Sequence, residues 1–264
     1  MLNVFYERLA KKFCIINIMT NNTETPKKVK TKKSLSLITW LIIIVGIIAT
    51  IVIWLMAKPP ITVVKNTAPS GFSVQGVAIN QTSGYVDYNN LATNGIDFTY
   101  LRATSGVTFA DDGYQASYDR AQGAHLKVGS IQVYDASVDA ATQAQYFIDK
   151  VGNNIGQLPI AIYVTNDQIA TKSSKERLAV LIQSLSTHYN RDIVIYTTPN
   201  VQQKLNQVIK KTKYWLIADN TDNRATANQF IQYSEDHTIG KGLKAVKMPT
   251  SVFNGTRQQF KEIK

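Results

Sequence analysis

Between Leu35 and Ala57 the chain runs for 23 residues without a charge, and only Ser36, Thr39, Gly46 and Thr50 break the apolar run. As a helix rising about 1.5 Å per residue it spans about 34 Å, enough to cross a hydrocarbon core of roughly 30 Å. A helix buried in a soluble domain is shorter and keeps a polar face. The segment at 35–57 is therefore expected to be a transmembrane helix, with any folded domain on one side of it.

The flanks set the expected orientation. Arg8, Lys11, Lys12, Lys27, Lys28, Lys30, Lys32 and Lys33 precede the run, whereas Lys58 alone follows it closely, ahead of Pro59-Pro60. The positive-inside rule puts residues 1–34 in the cytoplasm and the remainder outside the cell. A cleaved signal peptide is the competing interpretation. Against it, the apolar run and its leader are both too long, and Leu55-Met56-Ala57 lacks a small residue at its first place. The expectation is a single-pass protein of the cell membrane, from a bacterium taken to be Gram-positive. The leader reads as basic and disordered, and Met19 offers a second possible start of translation.

Residues 58–264 have the length of one well-buried domain. The whole chain carries a net charge of +11, but eight of its 29 Lys and Arg and two of its 18 acids lie before the apolar run. About +5 remains for the outer part. Charge that modest does not point to nucleic acid, although it suits an anionic cell wall. The single cysteine, Cys14, lies in the leader, so the outer part has no disulfide. With His125, His188 and His237 scattered along the chain, no zinc site has a ligand cluster, and neither metal nor cofactor is expected.

Residues 58–70 hold three prolines and read as a stiff linker. From Gly71 onward strand and helix patterns alternate. Strands are expected at 74–79, 98–103, 127–134, 158–164, 192–197, 214–218 and 229–233. Helices are expected at 87–94, 113–124, 140–151, 173–188 and 200–210. Within 173–188, Leu178, Leu181, Ile182 and Leu185 repeat at the spacing of one buried face. Such alternation implies parallel strands with helices outside them. After Ala218 helical patterns become scarce. The expected fold class is α/β: an irregular TIM-like (β/α) barrel over 71–264, preceded by one transmembrane helix. A doubly wound open sheet is the alternative, but no Gly-rich phosphate loop follows the first strand.

Several blocks along this frame carry a resemblance. They are Gly76-Val77-Ala78-Ile79-Asn80; Ser83-Gly84-Tyr85-Val86-Asp87-Tyr88; and Gly95-Ile96-Asp97-Phe98-Thr99-Tyr100-Leu101-Arg102-Ala103-Thr104-Ser105-Gly106. The stretch from Ala121 to Gln132 follows, then Leu158-Pro159 through Thr165 and Ile195-Tyr196-Thr197-Thr198-Pro199. Trp215-Leu216-Ile217-Ala218, Gln232-Tyr233-Ser234 and Phe253-Asn254-Gly255 complete the series. In this order the chain resembles glycoside hydrolase family 25, the Chalaropsis-type lysozymes or muramidases, across roughly residues 73–263. The resemblance implies a βα barrel whose carboxylates at the C-terminal strand ends cleave peptidoglycan.

The departures fall on those carboxylates. Where the family pattern has an acid, this chain has Ala78, Ser105, Tyr163, Thr165 and Lys247, and the family's Tyr-His pair is Ile131-Gln132. Frame residues such as Gly76, Gly95, Gly129, Pro159 and Pro199 are kept. Asp87 and Asp97 fall outside the catalytic set and read as structural. Glycosidic cleavage needs a proton donor and a second, anionic group, so the expectation is a pseudoenzyme. Asp135, Asp167 and Asp219 are the substitutes an active muramidase would use; each reads more readily as a loop or helix-cap aspartate. Gln132, Tyr134, Tyr163, Tyr196, Trp215 and Gln232 are the candidate substrate-binding residues, because aromatic faces with a few polar groups suit sugar rings. The expected partners are peptidoglycan or another cell-wall glycan, an envelope protein, and the membrane through Leu35 to Ala57, with no nucleic acid. A purely structural surface protein overlaps with this reading.

Overall fold

The computed structural model describes residues 37–56 and 68–263. The chain divides into two compact units, Met1–Thr62 and Val63–Lys264, taken separately below. The basic leader and most of the expected linker lie outside the described residues.

In the first unit a helix, α1 (Leu37–Met56), lies within the apolar run. Its segment Leu37–Trp54 is long and apolar enough to cross a membrane, and its Leu, Ile and Trp side chains are exposed. Thr50 donates its hydroxyl to the carbonyl of Ile47 at 2.8 Å, so this polar side chain is satisfied within the helix.

The second unit begins with β1 (Gln75–Ile79), α2 (Tyr88–Thr93), β2 (Phe98–Ser105) and the short β3 (Phe109–Ala110). Next come α3 (Tyr114–Gly123), β4 (Lys127–Val133), α4 (Ala140–Val151), β5 (Ile160–Tyr163) and α5 (Lys172–Tyr189). The chain continues through β6 (Ile193–Thr197), α6 (Pro199–Leu205), β7 (Lys213–Ile217), β8 (Asn228–Ile239), β9 (Val246–Phe253) and α7 (Arg257–Glu262). The strands bond in the order β1-β9-β8-β7-β6-β5-β4-β2-β3, and a β1–β2 pairing closes the ring. Eight strands thus form a barrel, with β3 attached outside β2. Neighbours from β1 round to β8 are parallel, and β9 runs antiparallel to both β8 and β1.

The irregular barrel expected from the alternation is present, and one strand goes beyond it. The segment Val246–Phe253 has reduced strand character, because Lys247, Pro249 and Ser251 interrupt it and proline is poor in a strand. It forms because β8 and β1 both offer it an edge. Pro249 falls where neither ladder registers a partner. The expected helix at 200–210 ends early, at Leu205.

Alternation along each strand sorts the core into two shells. Val77, Leu101, Val128, Ile160, Ile162, Ile195 and Leu216 face outward, with Leu91, Phe147, Leu178, Leu181 and Leu185 from the surrounding helices in the same buried cluster. Phe98, Tyr100, Val194, Trp215, Phe230 and Phe253 fill the interior. The interior is mostly aromatic because its neighbours are small. Gly76 pairs with Phe98 and Gly129 pairs with Tyr100. A Cβ on Gly76 would come within 2.3 Å of the Phe98 ring, and one on Gly129 within 2.3 Å of the Tyr100 ring.

The two aspartates read as structural have structural partners. Asp87 caps α2, accepting from the Asn90 amide at 2.9 Å. Asp97 bonds Arg257 of α7 at 2.6 Å and accepts from the Gln75 amide at 3.1 Å. That arrangement ties the last helix to the N-terminal end of the barrel.

Candidate functional site

Six of the parallel strands, β1, β2, β4, β5, β6 and β7, end together, and a cavity of about 480 Å³ opens among their C-terminal ends. Strict alternation explains most of its wall. β1 contributes Ala78, with Asn80 just beyond it. β4 contributes Ile131 and Val133, β5 Tyr163, β6 Tyr196 and β7 Ile217, while Pro249 closes the side at β9.

Two ladder irregularities explain the rest. The β2–β4 register shifts between Arg102 and Thr104, so Arg102 and Ser105, three residues apart, both line the cavity. The β8–β9 register shifts after Gln232, so Gln232 and Glu235 do the same. Without these bulges Thr104 and Ser234 would take the inward places. This is why simple alternation does not reveal Ser105 or Glu235, whereas Arg102 follows Phe98 and Tyr100 in phase. Asn80 keeps the phase of Ala78 but lies past the end of its strand.

Tyr163 packs on Tyr196 with ring centroids 5.1 Å apart. Tyr196 stacks on Trp215 at 3.9 Å, and Trp215 rests against Tyr100 at 4.6 Å. An aromatic column therefore runs from the cavity wall into the barrel. Its top is held by polar contacts, with the Tyr196 hydroxyl donating to Gln232 Oε1 and the Trp215 indole N–H donating to Ser251 Oγ at 3.0 Å. Burial raises the phenol pKa of Tyr163 above its ordinary value, and the negative charges of Glu235 and Asp167 add to the shift. Burial raises Tyr196 in the same way, with Tyr163 and Glu235 contributing. Both hydroxyls therefore stay protonated at neutral pH and act as hydrogen-bond donors.

The six candidate binding residues separate into two groups. Tyr163, Tyr196 and Gln232 line the cavity. Trp215 is fully buried beneath it, supporting Tyr196. Gln132 is also fully buried, and it donates to the carbonyls of Val133 at 2.9 Å and Gly106 at 3.3 Å. Tyr134 packs in the outer shell and donates to the Ser174 carbonyl at 2.6 Å. These last two face away from the cavity because they alternate with Ile131 and Val133, which face into it.

The positions where the family pattern places acids are distributed differently. Ala78, Ser105 and Tyr163 line the cavity. Thr165 lies past the end of β5 and hydrogen-bonds Asp167, holding that carboxyl below its ordinary pKa. Lys247 is exposed on the β8–β9 hairpin, 3.7 Å from Asp236. Asp135, Asp167 and Asp219 are absent from the cavity wall. Asp135 accepts from the backbone and hydroxyl of Ser137 at 2.9 and 2.6 Å, Asp167 accepts from Gln168 at 3.2 Å, and Asp219 is exposed. Glu235 is the one carboxylate among the lining residues.

Barrel and cavity together define a (β/α)-barrel protein with its candidate site at the C-terminal strand ends. The family model for glycosyl hydrolases family 25 matches residues 77–241, and the chain belongs to that family. Among curated relatives it is 25% identical over 147 residues to the autolytic lysozyme of Clostridium acetobutylicum, covering 54% of this chain and 44% of the relative. It is 24% identical over 158 residues to lysozyme M1 of Streptomyces globisporus, covering 54% of each. The chain thus spans about half the length of these curated relatives. The solved family 25 glycosyl hydrolase of Bacillus anthracis superposes with a TM-score of 0.67 at 21% identity, covering 74% of this chain and 95% of that one.

Proposed function

We propose that this chain is a membrane-anchored, lysozyme-like protein that binds cell-wall glycan at the barrel mouth without cleaving it. The observation that carries this reading is the composition of the cavity wall. Two tyrosines, several apolar side chains and a few amides and hydroxyls surround about 480 Å³, with a single carboxylate, Glu235, on the wall. Volume and lining suit a sugar ring. The carboxyl pair of a glycosidase, normally about 5–9.5 Å apart, has no second member there.

The chemistry argues the same way. General acid–base help is worth about 10²–10⁴-fold, and a lone glutamate cannot be both proton donor and anionic partner. Tyr163 would need an accessible phenolate to act as a nucleophile, and its raised pKa opposes that. The apolar helix α1 supports anchoring, with the basic leader inside the cell and the barrel outside. The peptidoglycan-binding role rests on family membership and on the lysozyme relatives.

The test is a lytic assay of the full chain in detergent on purified cell walls. The expected outcome is retention of the protein on the insoluble wall with no release of reducing ends. Release that is lost in Glu235→Gln, Asp135→Asn, Asp167→Asn or Asp219→Asn would replace this reading with an active muramidase.

A further inference from the structure

Relative to the family pattern, three acid positions that line this cavity carry no negative charge here, where Ala78, Ser105 and Tyr163 stand instead. One cation remains in the wall. Arg102 projects from the β2 bulge and lines both the main cavity and a neighbouring one of about 110 Å³, which also share Ile79 and Asn80. Its guanidinium carbon sits 4.9 Å above the Phe109 ring. Its Nε is buried with no hydrogen-bond partner among the described residues, and none of the ion pairs formed there includes it.

We propose that the cavity selects an anionic wall glycan, one bearing phosphodiester or carboxylate groups, and that Arg102 receives the anion. The inference rests on the binding role above and specifies its ligand. A mouth carrying the family's acids would repel such a polymer, because like charges a few ångströms apart oppose each other even at a solvated surface. Here the wall itself keeps one carboxylate, Glu235, exposed at the rim, and Asp167 acts on Tyr163 from outside the wall. A guanidinium is a planar fork of N–H groups suited to phosphate or carboxylate oxygens, and the Phe109 ring lies under this one. The neighbouring cavity offers a place for the next unit of the chain. Arg120 lines it, lying 5.3 Å from the exposed Tyr85 ring. Its one acid, Asp111, is buried and accepts from the Gly113 amide at 2.9 Å.

The experiment is a titration of the full chain in detergent with three oligomers of similar length: neutral N-acetylglucosamine, glycerol phosphate and uronate. At low salt at least one charged oligomer is expected to bind about tenfold more tightly than the neutral one, a margin typical of charge-assisted hydrogen bonds. High salt should narrow that margin. Whether phosphate or uronate wins identifies the source of the anion. Arg102→Gln should abolish the margin, Arg102→Lys should keep part of it, and Ala78→Asp should reduce it by restoring a carboxylate. Thermal melting checks that each variant folds. Equal or tighter binding of the neutral oligomer, or a margin that survives Arg102→Gln, overturns the anion preference while leaving glycan binding in place. Absence of binding to all three and to whole walls overturns both.

Discussion

Gly129 shows how much a single residue decides in this barrel. It leaves the room that Tyr100 occupies, and Tyr100 in turn supports Trp215 beneath the cavity. Gly129→Ala should therefore destabilise the barrel by about 1–3 kcal/mol, the usual cost of overpacking a tight core. A lowered thermal midpoint would register it, and an unchanged midpoint would mean that Tyr100 has somewhere else to go. At this scale the sequence was partly legible. Tyr163, Tyr196 and Gln232 stand at strand ends and reach the cavity as their motif positions suggest. Gln132 and Tyr134 stand in an equally suggestive place and do not. Parity decides between them, and parity cannot be counted until the register is known.

Elements carry their own signals, some clear and some weak. α4 begins and ends as its pattern implies, because Asp139 caps it, accepting from the Ala141 amide at 2.9 Å and the Thr142 amide at 3.1 Å. The amide of Thr142 is the main reason that the Asp139 carboxyl lies below its ordinary pKa, with the Ala141 amide adding to the effect. A carboxyl lowered on folding stabilises fully above its unfolded pKa, about 3.9. That contribution is lost as pH falls through the lower folded value. Asp139→Asn keeps an acceptor oxygen but not the charge, so its thermal midpoint should lie below the parent's at neutral pH. The two should converge on acidification below about pH 4. A difference that persists in acid would assign the effect to something other than this charge. Where the pattern failed, the element was made by its neighbours. β9 has weak propensity of its own and exists because two strand edges flank it.

For the molecule as a whole, the apolar run makes the sharpest prediction. With an uncleaved anchor, full-length chain should stay with the membrane after alkaline washing, and protease added outside intact cells should remove the barrel. Recovery of a soluble chain lacking its N-terminal segment would indicate a cleaved signal instead. The apolar helix, the alternating elements and the ordered blocks could all be recognised without coordinates, because hydropathy, periodicity and motif order are properties of the chain read along its length. The bulges after Arg102 and Gln232 could not, since an irregular register belongs to two strands at once. Those bulges determine that Ser105 and Glu235 face the cavity while Thr104 and Ser234 turn away from it. That Ala78, Ser105 and Tyr163 are not acids is a fact of the sequence alone. The arrival of Glu235 at the site was decided by tertiary structure, because it depends on how distant strands pair around a closed barrel.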